Sequence, residues 1–144
     1  MSRRGRRSGE RAELPLRLTR SFVAEPQAVP AARRAIEELD GTLAPETRRR
    51  LSAVGCELVA NSVRHGSRRP TDPISLEVFG SEKRLRLQVS DRGFGFEPPP
   101  PPRPGELRVD GWGLFLVSRL ADRWGAVRGE LGGLVWCELR PARG

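Results

Sequence analysis

Apolar residues recur at every second position in some stretches of the chain and at every third or fourth in others, and this change of period divides it into strands and helices. Leu14, Leu16 and Leu18 alternate with polar positions such as Arg17, which predicts a strand over 14–22. Pro26 and Pro30 then open a helix running through 31–39; proline is tolerated in a first turn, where its missing N–H has no partner to lose. Asp40 and Gly41 close it. A longer helix is predicted from about 45 to 65, with Leu51, Val54, Leu58, Val59 and Ala60 forming one apolar stripe and Gly66 placed to stop it. Ile74–Val78 and Leu85–Val89 alternate again, and Gly80-Ser81-Glu82-Lys83 between them reads as a hairpin connection. The second of these strands delivers the chain directly to Asp91.

Pro98–Pro102 is an unbroken proline run, incompatible with helix or central strand, so 96–110 is predicted to be a surface loop or flap. Leu114, Val117, Leu120 and Ala121 mark a further helix to about Trp124. A strand or turn near 126–130 and a closing strand over 132–139 follow. Strands and helices in this order predict an α+β fold: a two-layer α/β sandwich whose mixed, largely antiparallel sheet is covered on one face by helices. No repeat or linker divides residues 13–141, so they read as one domain. Residues 1–12 are rich in Arg, Ser and Gly without periodicity and read as a disordered basic tail.

A length of 144 residues suits a single domain with a modest core. No apolar run is long enough to span a membrane, and no hydrophobic segment follows the basic N-terminus as in a secretory signal, so a cytoplasmic location is expected. Cys56 and Cys137 stand outside any ligand pattern and read as buried reduced thiols. His65 is the only histidine, which excludes a three-histidine metal site and argues against a serine hydrolase. The formal net charge of +8 arises from 26 basic residues, of which only Lys83 is lysine, against 18 acids. Five of the first eleven residues are Arg, and abundant Arg, Ala, Gly and Pro together suggest a compositional bias of the genome. Charge is therefore a weak functional signal, and direct nucleic-acid binding is not expected.

The candidate chemistry lies in three fragments in fixed order: Glu57-Leu-Val-Ala-Asn61, Asp91-Arg-Gly93-Phe-Gly95 and Gly111-Trp-Gly113-Leu114. Glu57 and Asn61 fall one helical turn apart, about 40° around the axis, at the edge of the apolar stripe. Asn61 offers a carboxamide oxygen suited to Mg²⁺, and Glu57 a carboxylate able to accept a proton from an attacking hydroxyl or water. Asp91, at a strand end, can accept a hydrogen bond from the exocyclic amine of a purine, while Gly93 and Gly95 let the backbone approach without a Cβ. Gly111 and Gly113 precede a helix, whose first N–H groups suit phosphate. Each fragment has a bland alternative: a solvated helix face, an Asp-initiated turn, a loop-to-helix turn. It is the ordered set that reads as an ATP site.

Together these fragments resemble the N, G1 and G2 boxes of the GHKL ATPases, the superfamily of gyrase, MutL and histidine kinases. ELVANSVRHG at 57–66 and GWGLFLVSRLADRWG at 111–125 look most like the small anti-sigma-factor serine kinases, stand-alone histidine-kinase-like ATPase domains of bacterial partner-switching systems. The resemblance covers about residues 12–140 and implies a Bergerat-type ATP-binding fold. It further implies Glu57 as general base, Asn61 as Mg²⁺ ligand and Asp91 with Gly93 and Gly95 as the adenine wall. Gly111, Gly113 and Leu114 would sit at the phosphates, in a lid that includes the proline-rich segment. The implied activity is transfer of the ATP γ-phosphate to a serine of a STAS-type antagonist, alternating with sequestration of a sigma factor. Relatives often form homodimers. Two departures stand out: the proline-rich lid, and Gly133-Leu134 where relatives often carry a Thr that assists adenine binding. They leave open a non-catalytic module that binds ATP and a partner without phosphotransfer.

Overall fold

The computed structural model describes residues 16–39, 41–66, 69–81, 83–91, 116–129 and 132–141. Its five strands are β1 (Leu16–Val23), β2 (Pro73–Gly80), β3 (Leu85–Asp91), β4 (Arg123–Gly129) and β5 (Gly132–Leu139). They form one sheet in the order β1-β2-β3-β5-β4, and every pairing in it is antiparallel. Alternation decides which side of each strand meets the core. Leu18, Ile74, Leu76, Val78, Leu85, Leu87, Val89, Val135, Cys137 and Leu139 are buried on one face. Arg17, Thr19, Ser75, Glu77, Arg86, Gln88, Trp136 and Glu138 occupy the other. The β2–β3 connection is tight: Gly80 has φ +140°, and a Cβ there would lie 2.2 Å from the Arg84 carbonyl oxygen.

Two helices, α1 (Ala28–Glu37) and α2 (Pro45–Asn61), cover the apolar face. Pro30 lies in the first turn of α1, which buries Ala28, Ala32, Ala35 and Ile36. The α2 helix starts on Pro45 and buries Leu51, Val54, Leu58 and Val59, the stripe read from the sequence. A Cβ on Gly55 would stand 2.7 Å from Ile36 Cδ1 and 3.2 Å from Leu87 Cδ1, so the helix passes closely between α1 and β3 here. Past Asn61 the helix widens into a π turn, Ser62–Gly66, which packs against β3.

The predicted helix to Trp124 is shorter than expected. Residues 116–120 are helical, but β4 starts at Arg123, and Trp124 pairs with Cys137 instead of continuing the helix. Leu120, Ala121 and Trp124 fit a helical period, yet Trp124 and Ala126 fit a strand period equally well, and β5 supplies ladder partners that a helix end lacks. Asp122 confirms the break, its N–H donating to the Glu138 carbonyl. Arg50 ties the layers together, donating from Nη2 to the Leu120 carbonyl (2.7 Å) and from Nη1 to the Arg140 carbonyl (3.1 Å). Among the described residues no helix is long and apolar enough to cross a membrane. The basic tail and the proline-rich segment lie outside the described residues.

Candidate functional site

The amphipathic pattern that buries Leu58 and Val59 also fixes Asn61, which closes α2 and is only 3% exposed. Its Oδ1 accepts a hydrogen bond from Arg64 Nη2 at 2.7 Å, one helical turn on. Its Nδ2 is buried without a hydrogen-bond partner among the described residues, and so is the hydroxyl of adjacent Ser62. Buried polar groups are nearly always paired, because each unpaired one forfeits its bonds to water. These two neighbouring orphans stand where the helix relaxes into a π turn, a feature common at functional sites.

Glu57 lies one turn earlier and is half-buried. It opens into a groove of about 370 Å³ between α1, α2 and the 116–120 segment, lined also by Arg33, Arg49, Ser52, Cys56 and Leu116. Among the described residues its carboxylate has no hydrogen-bond or ion-pair partner. Arg33 and Arg49 make the lining positive, which suits an anionic ligand.

Asp91 is the last residue of β3, opposite Ile74 on β2 and Gly133 on β5. It shares the strand parity of Leu87 and Val89 and therefore stands on the helix-covered face, the side on which Asn61 is buried. The same parity separates the Gly133-Leu134 pair. Gly133 faces the Asp91 side, whereas Leu134, paired with Ser90, faces the opposite one. Leu134 therefore points away from the side on which Asp91 stands.

Gly93, Gly95, Gly111, Gly113 and Leu114 fall outside the described residues. Asn61 and Ser62 at the end of α2 and Asp91 at the end of β3 all lie on the helix-covered side of the sheet. Among the described residues no three His, Cys, Asp or Glu side chains gather into a metal cluster. A divalent ion at Asn61 would therefore draw its other ligands from phosphates and water, as Mg²⁺ commonly does. The orphaned carboxamide nitrogen and hydroxyl fit a nucleotide with its ion. Sequence reasoning missed Ser62 and the groove-lining Arg33 and Arg49. Ser62 was signalled only by its place after Asn61, and the two arginines by nothing short of the packing of α1 on α2.

No curated protein matches the sequence. Among solved structures, the RsbU and RsbW domains of Rv1364c from Mycobacterium tuberculosis superpose with a TM-score of 0.63 at 19% identity, over 90% of this chain and 32% of that one. The chain thus spans about a third of that protein's length. The blue-light activated histidine kinase of Erythrobacter litoralis EL346 gives a TM-score of 0.54 at 21% identity, over 79% of this chain and 41% of that one. Its isolated histidine kinase domain gives 0.50 at 22% identity, over 79% and 59%. At these identities the likeness is one of fold, and it agrees with the antiparallel sheet under helices described above. The model of the histidine kinase-like ATPase domain matches residues 22–138, which hold the Asn61, Glu57 and Asp91 positions, and the chain accordingly belongs to the histidine kinase-like ATPase domain family.

Proposed function

We propose that the chain binds ATP with Mg²⁺ in the cytoplasm and acts as a protein serine kinase of the anti-sigma-factor type. The observation that carries this reading is the pair of buried polar groups without partners among the described residues, Asn61 Nδ2 and Ser62 Oγ, one turn beyond Glu57 in an ATPase-family fold. ATP would supply the γ-phosphoryl group. Asn61 would hold the ion through its carboxamide oxygen, with Arg64 released toward the phosphates, and Asp91 would accept a hydrogen bond from the adenine amine. The carboxylate of Glu57 would take the proton of an attacking seryl hydroxyl as its oxygen bonds to phosphorus and the bond to the β-phosphate breaks. The positive groove beside Glu57 would admit the segment bearing that serine. The likeness to a structure containing an RsbW domain supports a STAS-type antagonist as substrate and a sigma factor as the alternative partner.

One observation favours a second reading, a regulatory module that binds ATP without phosphotransfer. The Asn61 oxygen that would hold Mg²⁺ is already occupied by the Arg64 guanidinium, and an arginine that stays there would exclude the ion. Calorimetric titration with ATP, with and without Mg²⁺, separates the two. Mg²⁺-dependent binding that Asp91→Asn loses supports the nucleotide site. Glu57→Ala should then keep its ATP affinity while transfer to a bound antagonist falls by about 10²–10⁴-fold. Undiminished transfer by that variant would refute the role given to Glu57, and Mg²⁺-independent binding with no transfer would favour the second reading.

A further inference from the structure

Among the described residues, the sheet face opposite Asp91 is left uncovered. Cross-strand register places Arg17, Phe79, Arg86, Glu138 and Arg123 in one row across it, and Thr19, Glu77, Gln88, Trp136 and Gly125 in the next. The cations lie on the rings: Arg17 is 5.8 Å from the Phe79 centroid, and Arg86 and Arg123 are 4.6 and 6.0 Å from that of Trp136. On β4 the indole presses against Gly125, where a Cβ would come within 2.9 Å of the ring. At the β1–β2–β3 end of the face, Leu16, Arg17, Phe79, Arg84, Arg86 and Glu138 line a cleft of about 470 Å³.

The carboxylates on this face are engaged, Glu138 with Arg123 at 3.7 Å and Glu77 with Gln88 Nε2 at 3.2 Å. By contrast, the guanidinium groups of Arg17 and Arg84 have no hydrogen-bond or ion-pair partner among the described residues. The cleft end therefore carries uncompensated positive charge beside apolar surface, with Arg17 and Arg86 held against rings.

We propose that this open face docks an acidic protein segment, Arg17, Arg84 and Arg86 binding its carboxylates while an apolar or aromatic side chain enters the cleft beside Phe79. The Arg17 guanidinium, stacked on a ring, keeps its N–H edge free for two-pronged binding of a carboxylate, while Arg86, whose Nε donates to Gln88 Oε1 at 3.3 Å, offers its Nη groups. A second copy of the chain fits less well, because a two-fold contact would set these cations against themselves. Single-stranded nucleic acid fits less well too. It needs open aromatic faces for its bases, whereas Arg17 and Arg86 lie over these rings and Glu77 and Glu138 interrupt any phosphate track. The face lies across the sheet from the nucleotide site and can be tested independently of it.

The test is a titration of the full ¹⁵N-labelled chain with a synthetic Glu-Glu-Phe-Glu-Glu peptide, following the Trp136 indole N–H resonance, assigned by its loss in Trp136→Phe. The expected result is a salt-sensitive shift of that resonance, with affinity at least tenfold weaker in Arg17→Glu/Arg84→Glu. Arg17→Gln/Arg84→Gln serves if charge reversal impairs folding, and should also weaken binding. No shift at Trp136, or equal affinity in a folded double variant, overturns the proposal. So does preferential binding of oligo-dT at the same resonance, or a dimer of the free protein that the double variant dissolves.

Discussion

Replacing Ser62 by Ala should stabilise the unliganded protein, against the usual direction of substitution in a core. The Ser62 side chain is 1% exposed and its hydroxyl has no partner among the described residues. An unpaired buried hydroxyl costs about 1–3 kcal/mol in desolvation, which its removal recovers. Alanine is also the better helix former, by about 0.5 kcal/mol, in a segment that continues α2. Against these stands the loss of contacts around one oxygen atom, a few tenths of a kcal/mol by about 24 cal/mol per Å³ of cavity. The balance is a gain of about 1–3 kcal/mol, or a Tm about 3–10 °C higher for a chain of this length. Thermal unfolding followed by circular dichroism, with and without Mg²⁺ and ATP, reads this directly. Saturating nucleotide should raise Tm less in the variant, because a ligand that gives the hydroxyl a partner loses part of its advantage there. A variant that melts at or below wild type without nucleotide would refute the argument, since the hydroxyl would then be satisfied in the folded protein.

Gly80→Ala should destabilise the fold by about 2–3 kcal/mol or more, measurable as a lower denaturant midpoint. The new Cβ meets a backbone carbonyl at 2.2 Å, at a φ of +140° that only glycine accepts readily. Burial pushes the Cys137 thiol up from 9.0 to about 12, so native protein at pH 8 should resist alkylation there until it unfolds. Because the folded pKa is the higher one, the unfolded chain loses the proton first, and stability should fall as pH rises from about 9 through about 12. A Cys56→Ala variant followed by urea denaturation across that range isolates the effect.

The strands were legible in the sequence wherever one face alone is buried. The alternation in Leu85–Val89 gave β3 its place and its direction toward Asp91, and the stripe from Leu51 to Val59 gave α2. Near Trp124 the same reasoning failed, because a few apolar residues satisfied both periods and only pairing with β5 could choose between them. The motif order singled out Glu57, Asn61 and Asp91 as candidates, which the fold carries on α2 and at the end of β3. It could not show that Arg64 occupies the Asn61 oxygen, nor that Leu134 points away from Asp91, since both depend on contacts that local periodicity does not encode.

The central position of β3 has a consequence for how the protein comes apart. Asp91 ends the one strand with two further strands on one side, β2 and β1, and two on the other, β5 and β4. Fraying starts at edges, so β1 and β4 can open and close without breaking the ladders that hold the carboxylate. In hydrogen exchange, the β3 amides should be among the last to exchange, through global unfolding alone. The strand that ends in Asp91 would then persist in partly opened forms that have already lost the outer strands.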